Sequence, residues 1–409
     1  MKMLDGVKVI ELSTYAAAPA AGRILAEMGA QVIKVEALQG DPFRHYGTSI
    51  GVPATEEENP CFELENMGKQ SVCINLATQQ GKQIFYQLLE ESNLFLTNMR
   101  QEALQRLGIS YEEVSARFPK LIYGHLVGYG LKGEDAALPG FDSTAFWARG
   151  GGTLDLPFAG SGPLSTPYAV GDHTAALALV AGLAGALYQQ AVHGRGEHIV
   201  VSLFGVSIFV NSLCILPGNE GYAPQTYPME RSQPVSPVQT TYLCEDGVGL
   251  TLTFINHEKY WPVFCTRVIE HPEWAEDARY CTIEAAKQPE NNERMYYLLR
   301  DIFLTAPSDH WIRLLKEADL PFGKVQHFRD VLHDETAWEN GYLQQISFSN
   351  HHQAAIAAIP IQSGQEKNTA KMAPGKGEDT LAVLQSLGYD AQTLRQMNGT
   401  SIYIEPKIE

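Results

Sequence analysis

Two apolar, β-branched runs, VKVIEL at 7–12 and QVIKVE at 31–36, flank a segment that reads as one short helix. Between them STYAAAP forms a tight turn with Pro19 suited to the first helical position, AAGRILAEM supplies the helix, and Gly29 closes it. Strand, helix and strand at this spacing make a βαβ unit, which commits the chain to a parallel sheet. The pattern continues. SVCINL, NLFLTN and LIYGHLVGYG read as further strands, a helix capped by Thr78 runs to Glu91, and Ser110 with Glu113 has capping-box spacing. Alternation through the first 130 residues predicts an α/β fold, a Rossmann-like doubly wound parallel sheet. Such sheets bind ligands at the carboxyl ends of their strands, where Tyr15, Asn98 and Tyr129 fall.

The first turn disfavours a nicotinamide-dependent oxidoreductase. Glu36 ends the second strand, where a dinucleotide-binding fold keeps its ribose-binding acid, but the turn has no GxGxxG. It offers Ala16, Ala17 and Ala18, small enough for a ligand to approach the helix start.

A second constraint is AVGDHTAALALVAGLAGALYQQAVHGRGEHIVVSLF at 169–204. Good helix formers dominate 174–191 and Gly194 stops them. Asp172, directly after Gly171, is expected at or beside the N-cap, where free N–H groups and the helix dipole would keep it ionised. Two roles fit such an acid, a cap or a reactive carboxylate. The apolar helix is short, rich in Ala and Gly and without basic flanks, so it reads as a core helix rather than a membrane span.

Composition narrows the partners. The net charge of −17 and the lack of a long basic run argue against nucleic-acid binding, and an anionic ligand would need local Arg, Lys or helix N-termini. Six Cys without a CxxC pair, and no signal peptide, suggest reduced thiols in a cytoplasmic protein. No HExxH or P-loop occurs, so no metal or nucleotide-phosphate site is expected, and no nucleophile elbow of a serine hydrolase is read in the chain. What remains is a pair of carboxylates near glycines, Asp142 and Asp172.

Residues 131–170 read as ordered, loop-rich backbone. Prolines 217, 224, 228, 234 and 237 mark a crossing between domains. TTYLCEDGVGLTLTF reads as a hairpin turning at Asp246-Gly247, followed by helices at 257–269, 289–304 and 308–318. LQQISF and AIAAIPIQ are late strands, and a short helix at 378–387 precedes a polar tail. The domain expectation is a large domain at 1–220, a smaller α+β domain at 221–325, and a return to the large domain at 326–409.

LDGVKVIELS, the turn with Pro19, LAEMGAQVIKVE, GDPFR, GKQSVCINL, TNMRQEALQRLG, GYG, PGFD, VGDH and GRGEHIVVSLF together resemble the family III coenzyme A transferases. The likeness continues more faintly in DGVGLTLTF and LPFGKVQHFRDVLHDE, so it covers nearly the whole chain. The resemblance implies that Asp172 is the nucleophile. It implies coenzyme A contacts at Ala16, Ala17, Leu76, Asn98, Met99, Arg100 and Arg106, with Tyr15, Phe141 and Asp142 lining the acyl site. It also implies an inserted smaller domain and a homodimer of interlocked rings. Coenzyme A thioesters would be substrates, with no permanently bound cofactor and no metal, and a carboxylic acid would be the acceptor. Two departures stand out: Ala16 replaces a Gln found in some members, and Ala37 stands where an adenine-side Arg is expected, with Arg44 or Arg100 as compensating candidates. The 142 region looks most like the 2-hydroxyacid branch. The rivals are a 2-methylacyl-CoA racemase of the same fold, which has Gly-His-Asp where this chain has Gly140-Phe141-Asp142, and a non-catalytic acyl-CoA binding protein.

Overall fold

In the computed structural model, residues 2–222, 227–362 and 371–404 are described. The chain divides into two compact units, one of Met1–Gly152, Ser165–Asn219 and Thr336–Glu409, the other of Thr153–Leu164 and Glu220–Glu335. Residues 153–164 and 326–335, given to the large domain from sequence, therefore lie in the second unit. Of the expected crossing, residues 223–226, with Pro224, lie outside the described residues.

The first unit opens with β1 (Lys8–Leu12), α1 (Ala17–Glu27) and β2 (Gln31–Glu36), the βαβ unit read from sequence. Pro19 sits two residues inside α1 rather than at its first position. There follow α2 (Pro60–Asn66), β3 (Gln70–Ile74), α3 (Gln79–Glu90) and β4 (Leu94–Thr97). Then come α4 (Gln101–Leu107), α5 (Tyr111–Arg117) and β5 (Ile122–Val127). Thr78 caps α3, and Ser110 with Glu113 forms the capping box of α5. After a wide π-helical turn at Asp142–Ala148, the unit continues with α6 (Val170–His193), β6 (His198–Ser202) and α7 (Leu203–Val210).

The second unit carries β7 (Thr241–Leu243) and β8 (Gly249–Leu252), an antiparallel hairpin with Gly247 at φ +78° in its turn. Around it stand α8 (His257–Arg267), α9 (Pro289–Phe303), α10 (Ser308–Glu317) and the edge strand β9 (Phe322–Lys324). Its own core gathers Tyr242, Phe254, Trp261, Phe264, Phe303 and Trp311. Most aromatic side chains of these helices are core, while Tyr297 is exposed.

The chain returns to the first unit with the hairpin β10 (Leu343–Ser347) and β11 (Gln353–Ala357), α11 (Thr380–Ser386), α12 (Ala391–Met397) and β12 (Ile402–Tyr403). The polar tail thus contains a helix and a strand.

The main sheet runs β12-β3-β2-β1-β4-β5-β6, parallel except for β12, which pairs antiparallel to β3 at the edge. The six parallel strands follow the doubly wound order in which the chain reverses direction between β1 and β4. Strand residues alternate between its two faces. Ile10, Ile33, Val35, Val72, Phe95 and Tyr123 form one core with α3, α4, α5, α11 and α12, while α1 packs on α6 against the other face. Helix α6 is long and apolar enough to cross a bilayer by length and composition, but its residues Ala175, Ala176, Leu179, Val180 and Leu183 are buried against the unit, and about a third of the apolar window is covered.

Candidate active site

The start of α6 is not built as its sequence suggests. The helix begins at Val170, after Ala169 in the left-handed region at φ +59°, and Asp172 lies inside its first turn rather than at the N-cap. The capping carboxylate comes from elsewhere: Asp142 Oδ1 accepts the Gly171 N–H at 2.6 Å. Gly171 makes this approach possible. A Cβ there would fall 2.3 Å from Phe146 Cγ and 2.4 Å from Asp142 Oδ1. The π-helical turn that delivers Asp142 is held by Phe146, whose carbonyl accepts Ser207 Oγ at 2.7 Å. At its root, Gly128 and Gly140 touch backbone to backbone, and a Cβ on Gly140 would lie 2.4 Å from Gly128 Cα. The buried indole N–H of Trp147 lies close enough to Asp142 to favour its charge.

The electrostatics also reverse the expectation for Asp172. Burial, then the neighbouring carboxylates of Asp142 and Glu65, push its pKa up from 3.8 to about 7, with His173 opposing. The helix start therefore does not hold the acid fully ionised. Burial raises Asp142 as well, against the Gly171 and Asp172 N–H groups that favour its charge. Beside them, His173 Nε2 lies 2.9 Å from Glu65 Oε1. Glu65 is buried, and this contact keeps the imidazole pKa above its ordinary value although burial opposes it. Sequence reading missed this pair. Glu65 sits in a short helix with no motif around it, and only tertiary structure sets it opposite His173.

The first turn rests on a buried charge network that the sequence hid among strand residues. Lys34 Nζ lies 3.1 Å from Glu11 Oε1 and 2.9 Å from Asp41 Oδ2, and Lys69 Nζ lies 2.8 Å from Glu11 Oε2. Lys69 also donates to the Pro19 carbonyl at 2.8 Å, which ties the network to α1. Asp41 in turn accepts the Tyr15 N–H at 3.3 Å. Tyr15 has φ +64°, and its ring meets Phe141 edge-on at 6.3 Å, so the first turn and the Asp142 turn face one another. Glu36 does not wait for a ribose. Arg44 pairs with it at 2.6 Å and Ser71 donates to it at 2.6 Å, and these contacts lower its pKa to about 2 against the opposing effect of burial. Arg44 is thereby engaged, and its guanidinium also stacks 3.8 Å over Phe62.

Asn98 spans the point where strand order reverses. Its amide accepts the Thr14 N–H at 3.1 Å and donates to the Thr14 carbonyl at 2.7 Å, clasping the first turn to the end of β4. Met99 follows, its carbonyl bound to His125 Nε2 at 2.8 Å. Arg100 precedes α4 and Arg106 stands in its last turn, both exposed. Ala16 and Ala17 are buried at the start of α1, and the Leu76 side chain is in the core below β3. Tyr15 and Phe141 thus meet beside Asp142, which neighbours Asp172, while the Leu76 side chain lies in the core. Among the described residues no cluster of three His, Cys, Asp or Glu side chains could hold a metal.

The chain is 38% identical over 401 residues to the (R)-2-hydroxy-4-methylpentanoate CoA-transferase of Clostridioides difficile, covering 98% of this chain and 99% of that protein. It is 35% identical to the cinnamoyl-CoA:phenyllactate CoA-transferase of Clostridium sporogenes, covering 97% and 96%. Among solved structures, a CAIB/BAIF family protein from Brucella suis superposes with a TM-score of 0.78 at 25% identity, over 94% of this chain and 99% of that one. The sequence profile of CoA-transferase family III matches residues 4–380, and the chain belongs to that family.

Proposed function

We propose that the protein moves coenzyme A from an acyl-CoA to a 2-hydroxy acid with a branched or aromatic side chain, through covalent intermediates on Asp172. The relatives whose names specify 2-hydroxy-4-methylpentanoate and phenyllactate support the substrate class. The observation that carries the mechanism is the placement of Asp172: a carboxyl with a pKa near 7, in the first turn of α6, beside Asp142 and the His173–Glu65 pair.

In its ionised form Asp172 attacks the thioester carbonyl. The C–S bond breaks, the thiolate of coenzyme A leaves, and a mixed anhydride joins the acyl group to Asp172. The thiolate then attacks the Asp172 carbonyl, releasing the first acid as its carboxylate and leaving an aspartyl-CoA thioester. The incoming acid carboxylate attacks that thioester and re-forms an anhydride, and returning thiolate attacks the new acyl carbonyl. This gives the new acyl-CoA and frees Asp172. Charge and atoms balance without an external energy source. Backbone N–H groups near the helix start stabilise each tetrahedral oxyanion. Asp142 fixes the helix start through Gly171 and lines the acyl site with Tyr15 and Phe141.

In this reading coenzyme A lies along the carboxyl ends of the strands, with the backbone at Ala16, Ala17 and Leu76 beside it, the Asn98–Met99 turn beneath, and Arg100 and Arg106 meeting its phosphates. Phe141 carries no exchangeable proton, which disfavours a racemase. The working unit is a cytoplasmic homodimer, in which a second subunit rather than lipid covers the open face of α6.

Incubation with acyl-CoA alone, followed by hydroxylamine, should label Asp172 and inactivate the protein. Asp172→Ala should abolish transfer while coenzyme A still binds. Full transfer by a verified, folded Asp172→Ala protein would end this mechanism.

A further inference from the structure

Beside the nucleophile, a cavity of about 220 Å³ opens between α1, α2, α6 and residues 357–360. Its walls are largely apolar, with Ile24, Leu64, Leu177 and Ile359 contributing the larger side chains. Arg23 fixes two of these walls. One Nη donates to the Leu64 carbonyl at 2.6 Å and the other to the Ala357 carbonyl at 2.7 Å, while Nε pairs with Glu27 at 2.5 Å. Two polar side chains also line the space, Glu65 and His173. His173 follows Asp172 directly in the chain and occupies Glu65 Oε1. The other oxygen, Glu65 Oε2, is buried and has no hydrogen-bond partner, in a side chain 2% exposed. A buried acceptor left unsatisfied is costly until a donor completes it.

We propose that this cavity seats the side chain of the acid substrate, and that Glu65 Oε2 accepts the hydrogen bond of its 2-hydroxyl. The inference rests on the function proposed above and specifies which part of the chain reads the acid. A 2-hydroxy acid has the matching parts: one hydroxyl donor beside the carboxylate, and a compact hydrocarbon group. The cavity is below the ~300–1,000 Å³ that drug-sized ligands need, so it takes one such group and not a whole thioester. His173 holds Glu65 in place from the residue next to the nucleophile. A site built around a substrate hydroxyl rejects the analogue lacking it more strongly than an apolar wall rejects a missing methylene. The hydroxyl is therefore the stronger determinant, and the hydrocarbon group the weaker.

The test uses the full-length protein with one acyl-CoA donor and three acceptors: 2-hydroxy-4-methylpentanoate, 4-methylpentanoate and 2-hydroxypropanoate. Values of kcat/KM are compared for the wild type, Ala358→Leu, which narrows the cavity, and Glu65→Gln. Ala358→Leu should reduce the ratio of branched to small hydroxy acid by about tenfold, and Glu65→Gln should reduce the ratio of hydroxy to deoxy acid by about tenfold or more. If Glu65→Gln does not fold, the Ala358→Leu ratio and the wild-type preference for the hydroxy acid decide. Wild-type transfer with both ratios unchanged in the variants overturns the assignment and leaves the transferase reading intact. Absence of transfer to any acid by the wild type fails that reading instead. An Ala358→Leu protein with altered sedimentation and unaltered ratios would mean that a second copy of the chain fills the cavity, which also overturns the proposal.

Discussion

Asp142 Oδ1 accepts the backbone N–H of Gly171 at 2.6 Å, so the acid that secures the start of α6 is not the one that stands in its first turn. This division of labour leaves the Asp172 carboxyl without a capping duty. It also sets two carboxylates near each other in a partly buried site, and each raises the cost of ionising the other. Capping, one of the two roles the sequence leaves open for Asp172, falls to Asp142.

Gly171→Ala tests that arrangement most directly. The added Cβ would overlap Phe146 and Asp142, and neither can retreat without moving the π-helical turn. Overpacking of this kind typically costs about 1–3 kcal/mol. The variant should melt earlier by circular dichroism and lose most of its transfer activity. An Ala variant of wild-type activity and Tm would show that Asp142 is not seated as described.

Asp142→Asn separates capping from charge. The amide oxygen can still accept the Gly171 N–H, but the repulsion on Asp172 disappears. Asp142 raises the Asp172 pKa, so its removal must lower it, while burial and Glu65 still hold it up and His173 still lowers it. The acidic limb of kcat/KM, expected near pH 7, should move down by about one unit. A limb that stays in place or moves up would break the link between the two carboxylates.

The βαβ opening, the doubly wound order and the β7–β8 hairpin were legible because each depends on local periodicity and turn chemistry. The fate of Glu36 and Arg44 was not. A glutamate ending the second strand reads the same whether it faces a ribose or an arginine eight residues on, and only the fold brings Ser71 and Arg44 to it. Lys34 and Lys69 look like ordinary surface charges in sequence, since lysine is rarely buried unless paired, and their shared partner Glu11 is distant in the chain. Asp172 stands out in the sequence as a carboxylate before an apolar helix, but its protonation does not. The helix start favours the anion, and burial with two nearby carboxylates outweighs it.

Glu11 joins both buried lysines. Replacing it by Gln leaves two desolvated cations short of charge, and breaking such a pair commonly costs about 3–5 kcal/mol. Burial has already lowered Lys69 to about pH 8, despite the opposing pull of Glu11. Glu11→Gln should therefore shift Lys69 further toward its neutral form and lower the urea midpoint substantially. A midpoint within error of wild type would mean that the network contributes nothing to the fold.

Asp172 itself should show the linkage in stability. Its folded pKa, about 7, exceeds the ordinary 3.8, so the group favours folding below pH 4 and that contribution is lost as pH rises to 7. Above pH 7 the buried anion is a liability. Asp172→Asn, which cannot ionise, should stabilise the protein at pH 8 by on the order of 2 kcal/mol relative to wild type, and by much less at pH 4.5. Equal Tm differences at both pH values would contradict the raised pKa.

The final expectation concerns the surface beside α6. Tyr188 on α6 is 74% exposed, Phe209 on α7 is 82% exposed, and Leu213 just beyond is 79% exposed. Large exposed apolar side chains are what a subunit interface covers, and the proposed partner is a second copy of the chain. Interlocked subunits would not separate on dilution, so wild type should sediment as a dimer at nanomolar concentration. The Phe209→Asp/Leu213→Asp protein should instead aggregate or sediment as a monomer, because a charge in the covered face must be desolvated without a partner. A monomeric, active wild type would remove the dimer from the proposed mechanism. A dimeric double variant would move the interface away from this face.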